Sequence, residues 1–255
     1  MKNLKERIAN RELTIGSWIT LGHTAIAEIM AKAGFDWLTI DMEHSAITLE
    51  QTQQLIQVIE LSGCVPLVRV GINDSTIIKR VMDCGAHGVI VPMVNSAEDA
   101  ERAVKAVKYP PHGTRGVGLA RAQGYGASFE AYKDWLEKDS IVIVQIEHIE
   151  AVNNLEAILQ VPGVDGFIIG PYDLSGSLGV PGQFDHPDVV KALERVKEIS
   201  PRFPVSAGFH VVPPDLAATY EKIDEGYTFL AYSLDILFLG EQCRQGLKAI
   251  LDYSK

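Results

Sequence analysis

Eight short β-rich runs alternate with longer amphipathic segments along the chain, and this alternation limits the possible folds more than any other feature. The runs are almost continuously apolar, which is typical of strands buried on both faces of a parallel sheet. The predicted strands are Thr14–Trp18, Asp36–Asp41, Pro66–Val70, Gly88–Pro92, Val142–Glu147, Gly166–Ile169, Pro204–Ala207 and Thr228–Ala231. Because the chain lacks a dinucleotide-binding GxGxxG pattern, eight βα units predict a closed (β/α)8 TIM barrel. We expect residues 1–255 to form a single barrel domain.

Helical stretches lie between these runs. Thr48 and Gln51 form a T-x-x-Q capping box at the start of one of them. The helices with the clearest periodicity are Leu49–Leu61, Ser96–Val107, Pro187–Glu198 and Pro214–Glu225. Glycines fall where helices should end, shortly before a strand, at Gly34, Gly63, Gly85 and Gly226.

One interval, Tyr109–Asp139, is too long for a simple connection between the fourth and fifth strands. It contains the Gly-rich run PPHGTRGVGLARAQGYG. A long irregular loop is more often functional than a short one, and we predict a functional element here.

Composition excludes several classes of protein. A net charge of -10 argues against a nucleic-acid-binding surface. The N-terminal segment is charged, without the apolar run of a secretory signal, and no segment is long and apolar enough to span a membrane, so we expect a cytoplasmic protein. Cys64, Cys84 and Cys243 lack CxxC spacing and are predicted to be reduced core thiols.

Glu147 and Asp173 follow two successive predicted strands, at the edge of a parallel sheet where ligands gather. Two converging carboxylates repel each other unless a cation lies between them. Oxygen ligands favour a hard divalent ion such as Mg2+ or Mn2+ over zinc. The alternative is that Glu147 caps the next helix and Asp173 caps a turn.

Polar residues collect at the predicted strand ends, whereas the strand bodies are apolar. The residues expected to face one cavity are Trp18, Asp41, Glu43, His44, Arg69, Pro92, Gln145, Glu147, the GPYDLSGSLG loop, and the segments 206–210 and 232–235. Arg69 suits a carboxylate or a developing oxyanion, although it could instead form an internal salt bridge to Asp41 or Glu43. His44 is a candidate general base.

Two sequence patterns that the chain lacks reduce the number of possible reaction types. A Schiff-base aldolase needs a desolvated lysine inside the barrel, and no lysine lies in a predicted strand. The loops after the seventh and eighth strands lack the paired glycines of a typical barrel phosphate site. Carbonyl activation is therefore expected to come from a metal.

Six blocks together closely resemble the HpcH/HpaI aldolase family: WLTIDMEHSAI, PLVRV, VMDCGAHGVIVPM, YPPHGTRGVG, VQIE and IIGPYDLSGSLG. The resemblance spans almost the whole chain and implies a class II pyruvate aldolase, similar to 2,4-dihydroxyhept-2-enedioate and 2-dehydro-3-deoxyglucarate aldolases. It also implies a barrel of the phosphoenolpyruvate/pyruvate superfamily and a homohexamer, a trimer of dimers. The last helix of such a barrel, here predicted as Asp235–Leu251, is typically exchanged between partner subunits.

The resemblance also implies roles for individual residues. Glu147 and Asp173 resemble the two protein ligands of a Mg2+, Mn2+ or Co2+ ion. Arg69 resembles the residue that stabilises the enolate oxygen, and His44 the base acting on the C4 hydroxyl.

Further roles carried over by the same resemblance concern the substrate. Asp83 resembles the carboxylate that orients His44, although its position also suits a solvated acid at a helix end. Gln145 and Asp41 resemble residues that contact the substrate. The remaining predicted substrate contacts are Trp18 and, through backbone N–H groups that hold the pyruvate carboxylate, the segment made of Gly170, Pro171, Tyr172 and Asp173.

We therefore expect reversible cleavage of a 4-hydroxy-2-oxo acid to pyruvate and an aldehyde. Tyr172 would narrow the pocket and influence the choice of aldehyde. One alternative is a lyase acting on CoA esters, for which Arg115 and Arg121 are the candidate basic residues. Another is a non-catalytic barrel that binds an oxo acid.

Overall fold

The computed structural model describes residues 3–254. All strand pairs are parallel, and the strands follow sequence order around a closed barrel, so the predicted TIM-barrel fold is confirmed. The strands are β1 (Thr14–Ile19), β2 (Trp37–Asp41), β3 (Val65–Arg69), β4 (Gly88–Val91), β5 (Ile141–Ile146), β6 (Gly166–Ile169), β7 (Ser206–Val211) and β8 (Phe229–Leu234).

Helices cover the outside of the barrel and connect one strand to the next. They are α1 (Leu4–Ala9), α2 (Thr24–Lys32), α3 (Leu49–Leu61), α4 (Ser75–Asp83), α5 (Ala97–Val107), α6 (Phe129–Asp139), α7 (Ile149–Asn153), α8 (Leu155–Leu159), α9 (Pro171–Ser177), α10 (Pro187–Ile199), α11 (Leu216–Asp224) and α12 (Asp235–Tyr253).

The apolar core has two layers. The larger lies between the strands and the helices, and the smaller fills the barrel itself. Trp37 and Phe229 stack inside the barrel, with ring centroids 4.2 Å apart. Gly16 makes room for this pair, because a Cβ at Gly16 would lie 2.0 Å from the Trp37 ring. Apolar side chains therefore fill the interior of the barrel, and space for chemistry remains at the ends of the strands.

Local signals in the sequence are mostly reproduced. Helix α3 has the predicted bounds, and Thr48 and Gln51 form the predicted capping box. All four glycines predicted to end helices have a positive φ, between 80° and 99°.

Both ends of β7, the end of β8 and the start of one helix were predicted wrongly. Strand β7 continues to Val211 and β8 to Leu234, because small and polar residues such as Gly208 and Ser233 extend both strands beyond their apolar runs. Helix α11 begins at Leu216 rather than Pro214, because Asp215 is its N-cap and accepts hydrogen bonds from the backbone N–H groups of Ala217 and Ala218.

The segment between α5 and α6 lies at the amino-terminal end of the barrel. Asp83 and Cys84 come just before β4 and mark that end. Arg115 Nη2 donates to Asp83 Oδ1 at 2.5 Å, and Arg121 Nη1 donates to the Cys84 carbonyl at 3.1 Å. This segment therefore cannot shape the opposite end of its own barrel, where the predicted site residues gather.

All three cysteines are free thiols. Cys64 and Cys84 are buried as predicted, but Cys243 is exposed on α12, so its assignment to the core was wrong. Among residues 3–254, no helix combines the length and apolarity that crossing a membrane requires.

Candidate active site at the carboxyl end of the barrel

Ten of the eleven predicted site residues lie at or beyond the carboxyl ends of strands in the barrel. They are Trp18, Asp41, His44, Arg69, Gln145, Glu147, Gly170, Pro171, Tyr172 and Asp173. The exception, Asp83, ends α4 at the opposite end. The parallel barrel explains this grouping, since all its strands end on one face.

Arg69 is held by two acidic residues of the neighbouring strand and loop. Asp41 and Arg69 are register partners across β2 and β3. Arg69 Nε and Nη2 donate to the two Asp41 carboxylate oxygens at 3.0 and 2.7 Å, and Arg69 Nε lies 3.3 Å from Glu43 Oε2. The salt bridge considered from the sequence is thus present. Two of the five guanidinium N–H groups are committed to Asp41, which leaves others for a ligand.

Arg69 lowers the pKa of Asp41. Burial alone would raise the pKa of Asp41, but hydrogen bonding to Arg69 and its positive charge outweigh burial and hold that pKa below its usual value. Asp41 also accepts from the backbone N–H groups of Glu43 and His44 at 3.0 and 3.2 Å. The carboxylate is therefore ionised and fixes both Arg69 and the following loop.

Trp18 connects Arg69 with a histidine on the far side of the barrel. The Arg69 guanidinium carbon lies 4.4 Å from the centroid of the Trp18 ring. The same ring stacks on His210, at the end of β7, with centroids 5.1 Å apart and planes inclined at 29°. These contacts form a rigid wall around one side of the mouth.

Glu147 lies just beyond β5 and is buried, with 3% of its surface exposed. Its Oε1 accepts from the backbone N–H of Met93 at 2.7 Å, and its Oε2 accepts from Gln145 Nε2. Burial raises the pKa of Glu147 to about 7, and the charges of Glu43 and Asp173 add to the increase. A buried carboxylate with acidic neighbours is a site that a cation would stabilise.

The surroundings of Glu147 fit a hard divalent metal. A Cβ at Gly170 would lie 3.0 Å from both Glu147 Oε2 and Gln145 Nε2, so glycine keeps this approach open. Gln145 Oε1 is buried without a hydrogen-bond partner in the described structure. Within residues 3–254 no three His, Cys, Asp or Glu side chains form a complete cage. The carboxylate and amide oxygens around Glu147 are of the kind that a hard divalent ion prefers.

The sequence also allowed Glu147 to cap the next helix and Asp173 to cap a turn, and the structure shows other residues in the N-cap positions. The N-cap of α7 is His148, whose Nδ1 accepts from the Glu150 N–H at 3.2 Å, so Glu147 does not cap that helix. Asp173 lies in the first turn of α9, whose N-cap is Gly170.

The predicted backbone donors around Gly170 are fewer than expected. Gly170 N–H already donates to the Ile146 carbonyl at 3.3 Å, and Pro171 has no N–H. Tyr172 and Asp173 are in the first turn of α9, where N–H groups have no helical carbonyl to bind. The exposed Tyr172 ring packs edge-on against Phe184, with ring centroids 4.9 Å apart.

His44 lies at the rim and Asp83 lies far from it. The His44 side chain is 64% exposed, with Nε2 3.8 Å from Glu43 Oε2. Asp83 is instead paired with Arg115. Within one chain the structure does not bring this predicted pair together.

Two contributors had no role in the sequence prediction. Met93 donates its N–H to Glu147 from a left-handed backbone conformation, with φ of 51°. Nothing in the sequence marks a methionine for that conformation. His210 falls in the segment 206–210 that was expected to face the cavity, so its position could have drawn attention to it.

Comparisons with known proteins identify the family of the chain. The family model described as HpcH/HpaI aldolase/citrate lyase matches residues 14–239. The hydroxypyruvate/pyruvate aldolase of Roseobacter denitrificans is 37% identical over 242 residues, covering 94% of this chain and 93% of that protein. The 4-hydroxy-2-oxovalerate aldolase of Rhodococcus jostii is 39% identical over 247 residues, covering 95% and 93%. A crystal structure of an HpcH/HpaI aldolase/citrate lyase family protein from Burkholderia cenocepacia superimposes with a TM-score of 0.92 at 34% identity, covering 97% of this chain and 98% of that one.

Proposed function

The chain belongs to the HpcH/HpaI aldolase/citrate lyase family, and we propose that it is a class II, divalent-metal-dependent pyruvate aldolase. Its reaction is the reversible cleavage of a 4-hydroxy-2-oxo acid, such as a 2-keto-3-deoxy sugar acid or a hydroxy-oxo-dioate, to pyruvate and an aldehyde. The metal is Mg2+, Mn2+ or Co2+, held by Glu147 and Asp173.

The observation that carries this proposal is the separation of charge across the mouth. Glu147 and Asp173 follow β5 and β6, and the charge of Asp173 contributes to the raised pKa of Glu147. Arg69 ends β3 on another side, fixed by Asp41 and Trp18. A divalent cation and two carboxylates sum to about zero charge, so a developing enolate needs one further cation, and Arg69 supplies it.

The chain's own residues then divide the work. When bound, the metal polarises the 2-oxo group of the substrate. His44, directly or through water, takes the proton of the C4 hydroxyl as the C3–C4 bond breaks. The electron pair of that bond moves toward the C2 oxygen, where Arg69 stabilises the negative charge. Gln145 contacts the pyruvyl half, the Tyr172 and Asp173 N–H groups hold its carboxylate, and Asp41 and Tyr172 border the aldehyde side.

The roles predicted for His44 and Asp83 require a second copy of the chain. If Asp83 orients His44, it must come from another subunit, because each chain keeps the two at opposite ends of its barrel. We propose a cytoplasmic homo-oligomer, a hexamer built as a trimer of dimers. The exposed α12 supports exchange of this last helix between partners.

The CoA-ester alternative loses its candidate residues. The Arg115 side chain is fully buried and paired with Asp83, and Arg121 pairs with Glu60. Both lie at the amino-terminal end, away from the mouth of their own barrel. Within one chain neither arginine can serve a CoA ester at that mouth, and aldol cleavage is the reaction that the site geometry favours.

The test is pyruvate release from a panel of 4-hydroxy-2-oxo acids, followed by coupling to lactate dehydrogenase. We expect release with Mg2+, Mn2+ or Co2+ and loss of release with EDTA. Folded protein that releases no pyruvate from any substrate with any of these metals contradicts the proposal. Cleavage of malyl-CoA, or tight oxalate binding without turnover, would support the alternatives instead.

A further inference from the structure

The segment between α5 and α6 contacts Asp83 through only one of the two oxygens of its carboxylate. Arg115 Nη2 donates to Asp83 Oδ1 at 2.5 Å, and Gln123 Nε2 approaches the same oxygen at 3.5 Å. Within residues 3–254, Oδ2 of this carboxylate has no hydrogen-bond or ion-pair partner, and the side chain is 21% exposed. Asp83 therefore has one oxygen that is held in place and one that is left for another group.

Arg115 is fixed on several sides. Its side chain is 0% exposed. The guanidinium carbon lies 4.9 Å and 5.5 Å from the ring centroids of Tyr109 and Tyr132, and Nη1 donates to the Tyr132 hydroxyl at 2.8 Å. A buried guanidinium needs a counter-charge, and in the described part of the chain Asp83 is the carboxylate paired with it. A guanidinium held this firmly also fixes the orientation of the carboxylate that it binds.

The position of Asp83 explains why its carboxylate needs these two donors. It is the last residue of α4, where the helix dipole destabilises a negative charge. The charge of Arg115 offsets this effect. Gln123 is fully buried, donates to the Tyr109 hydroxyl at 2.7 Å and accepts from the Ala120 N–H at 2.9 Å, so its amide is fixed as well. Both donors thus hold Oδ1 from groups that are themselves restrained.

A glycine keeps the other oxygen accessible. A Cβ at Gly118 would lie 3.7 Å from Asp83 Oδ2, so a branched side chain at this position would cover that oxygen. Val117 and Leu119, on either side of Gly118, are 58% and 66% exposed. Apolar side chains exposed around an accessible carboxylate are typical of a surface that contacts another protein chain.

The mouth of the barrel carries the matching groups. The His44 side chain is 64% exposed, and its Nε2 lies 3.8 Å from Glu43 Oε2. Ile72 and Met93, on the loops after β3 and β4, are 61% and 48% exposed. One end of the chain thus has an exposed base among exposed apolar side chains, and the other end has an exposed carboxylate oxygen among such side chains. Two copies of the chain can pair these two surfaces.

We propose that Arg115 and Gln123 are positioning residues for the active site of a second copy, because they hold Asp83 by Oδ1 so that Oδ2 accepts a hydrogen bond from His44 of the partner subunit. This inference rests on the proposed aldolase function and on Asp83 reaching another subunit's mouth. The carboxylate keeps a proton on one ring nitrogen of the histidine and leaves the other nitrogen free to take the C4 hydroxyl proton. The Gly-rich segment then serves a neighbouring barrel rather than its own.

The first test measures pyruvate release from a 4-hydroxy-2-oxo acid by the full chain loaded with Mn2+. Arg115→Met should lower kcat about 10–100-fold, as is typical when the partner behind a reacting group is removed, and should leave KM nearly unchanged. Arg115→Lys keeps one charged donor and should recover part of the loss. Gly118→Val leaves the Arg115 pair with Asp83 in place, covers Oδ2 and should lower kcat in the same way.

Mixed oligomers show whether the effect crosses a subunit boundary. His44→Ala and Arg115→Met chains carry different tags and are co-expressed, and oligomers that contain both chains are purified. A site that combines His44 of one chain with the intact segment of the other should regain activity. Random 1:1 mixing should give about one such site in four. A structural role of Arg115 confined to its own barrel predicts no recovery.

The controls separate positioning from folding and from the aldolase proposal. Arg102→Met removes an arginine from an exposed pair with Asp99 on α5 and should leave kcat unchanged. Thermal melts show which variants fold, and Gly118→Val tests the inference even if Arg115→Met does not fold. Unchanged kcat in the folded variants, or mixed oligomers without recovery, overturns the inference and leaves the aldolase proposal standing. Wild-type protein that releases no pyruvate overturns the aldolase proposal itself, and this inference with it.

Discussion

Asp41 provides the counter-charge that lets Arg69 extend into an apolar barrel. Asp41 and Arg69 are 2% and 9% exposed, and their two hydrogen bonds are short and bidentate. Removing the Asp41 charge deprives the buried Arg69 of its bidentate partner and leaves it the single 3.3 Å contact with Glu43. We predict that Asp41→Asn lowers the free energy of unfolding by about 3–5 kcal/mol, measured by urea denaturation at pH 7 without added metal.

An exposed ion pair gives the matched comparison for Asp41→Asn. Arg202 and Glu198 pair at 2.9 Å on α10 and its extension, and both side chains are more than half exposed. Glu198→Gln should therefore change the free energy of unfolding by less than about 1 kcal/mol. Similar losses for the two variants would show that the buried pair does not stabilise the barrel as described.

Glu147 would balance the charge of the proposed metal as Asp41 balances the charge of Arg69. Its carboxylate is one of two protein ligands in the proposed site, so a neutral amide removes half of the protein's negative charge there. We predict that Glu147→Gln weakens Mn2+ binding by at least about 100-fold, because even a partner behind a metal ligand accounts for 10–100-fold. The measurement is a titration of free Mn2+ by electron paramagnetic resonance, which does not depend on turnover.

Glu150 provides the control for Glu147→Gln, since it is exposed and lies three residues further on, in α7. Glu150→Gln should bind Mn2+ like the wild type. Equal Mn2+ affinity in Glu147→Gln and the wild type would exclude Glu147 as a ligand and would place the metal, if there is one, elsewhere.

At the scale of elements, the strands were predictable where burial leaves a continuous apolar run, as in β5 and β6. The carboxyl ends of β7 and β8 were missed because His210 and Ser233 serve the mouth, and polar residues there interrupt the pattern that burial produces. Sites and strand ends coincide in a barrel, so the pattern fails at the positions that carry chemistry.

The segment between α5 and α6 illustrates a different limit. Its glycines and length indicated a functional loop without indicating what the loop does. Chain order does show where it lies, because a segment that follows a helix and precedes a strand belongs to the amino-terminal end of the barrel. The position of Met93 on Glu147, by contrast, depends on a backbone conformation that no sequence pattern specifies.

Glu60 links three elements at that amino-terminal end and gives a pH prediction. It lies in the last turn of α3, contacts His87 at 3.3 Å and pairs with Arg121. The hydrogen bond to His87 and the charge of Arg121 lower the pKa of Glu60 from its ordinary value of 4.5 to about 2, although burial acts in the opposite direction. A lowered folded-state pKa stabilises the fold above about pH 4.5, and this contribution is lost as the pH falls toward 2.

We therefore predict that Glu60→Gln is less stable than the wild type at pH 7 and that the difference shrinks between pH 4.5 and pH 3. Urea midpoints measured across this range test the prediction. Glu130→Gln, which removes an exposed pair with Lys133, should show little difference from the wild type at either pH. A Glu60→Gln difference that is constant with pH would mean that the carboxylate does not stabilise these elements through its charge.

At the scale of the whole molecule, α12 is in contact with its own barrel at its start and largely exposed from residue 242 onward. Its first turn is anchored by Asp235, which accepts from the Thr20 and Leu21 N–H groups at 2.8 Å. Further along, large apolar side chains are exposed: Leu239, Leu247, Ile250 and Leu251 are 56%, 59%, 68% and 51% exposed. Burying each such side chain fully is worth about 1.5–3 kcal/mol, so a chain that leaves four of them in water has a strong reason to associate.

The barrel also carries uncovered apolar side chains on the two helices that flank the place of a last helix. Ile29 on α2 is 67% exposed, and Leu216 and Tyr220 on α11 are 55% and 59% exposed. The proposed helix exchange would cover both sets at once, with α12 of one chain against α2 and α11 of another. We predict that Leu247→Glu with Ile250→Glu yields a smaller particle than the wild type by size-exclusion chromatography with light scattering.

Activity in the same double variant shows whether the assembly matters for chemistry. Both substitutions are remote from the mouth of their own barrel, so a site complete within one chain would keep its kcat after dissociation. If His44 needs Asp83 from a neighbouring subunit, kcat should fall together with particle mass and recover with mass as protein concentration rises. A control with Leu247→Ala and Ile250→Ala, which adds no charge, should lose less mass at the same concentration. An unchanged particle mass in the glutamate variant would exclude α12 as the element that holds the oligomer together.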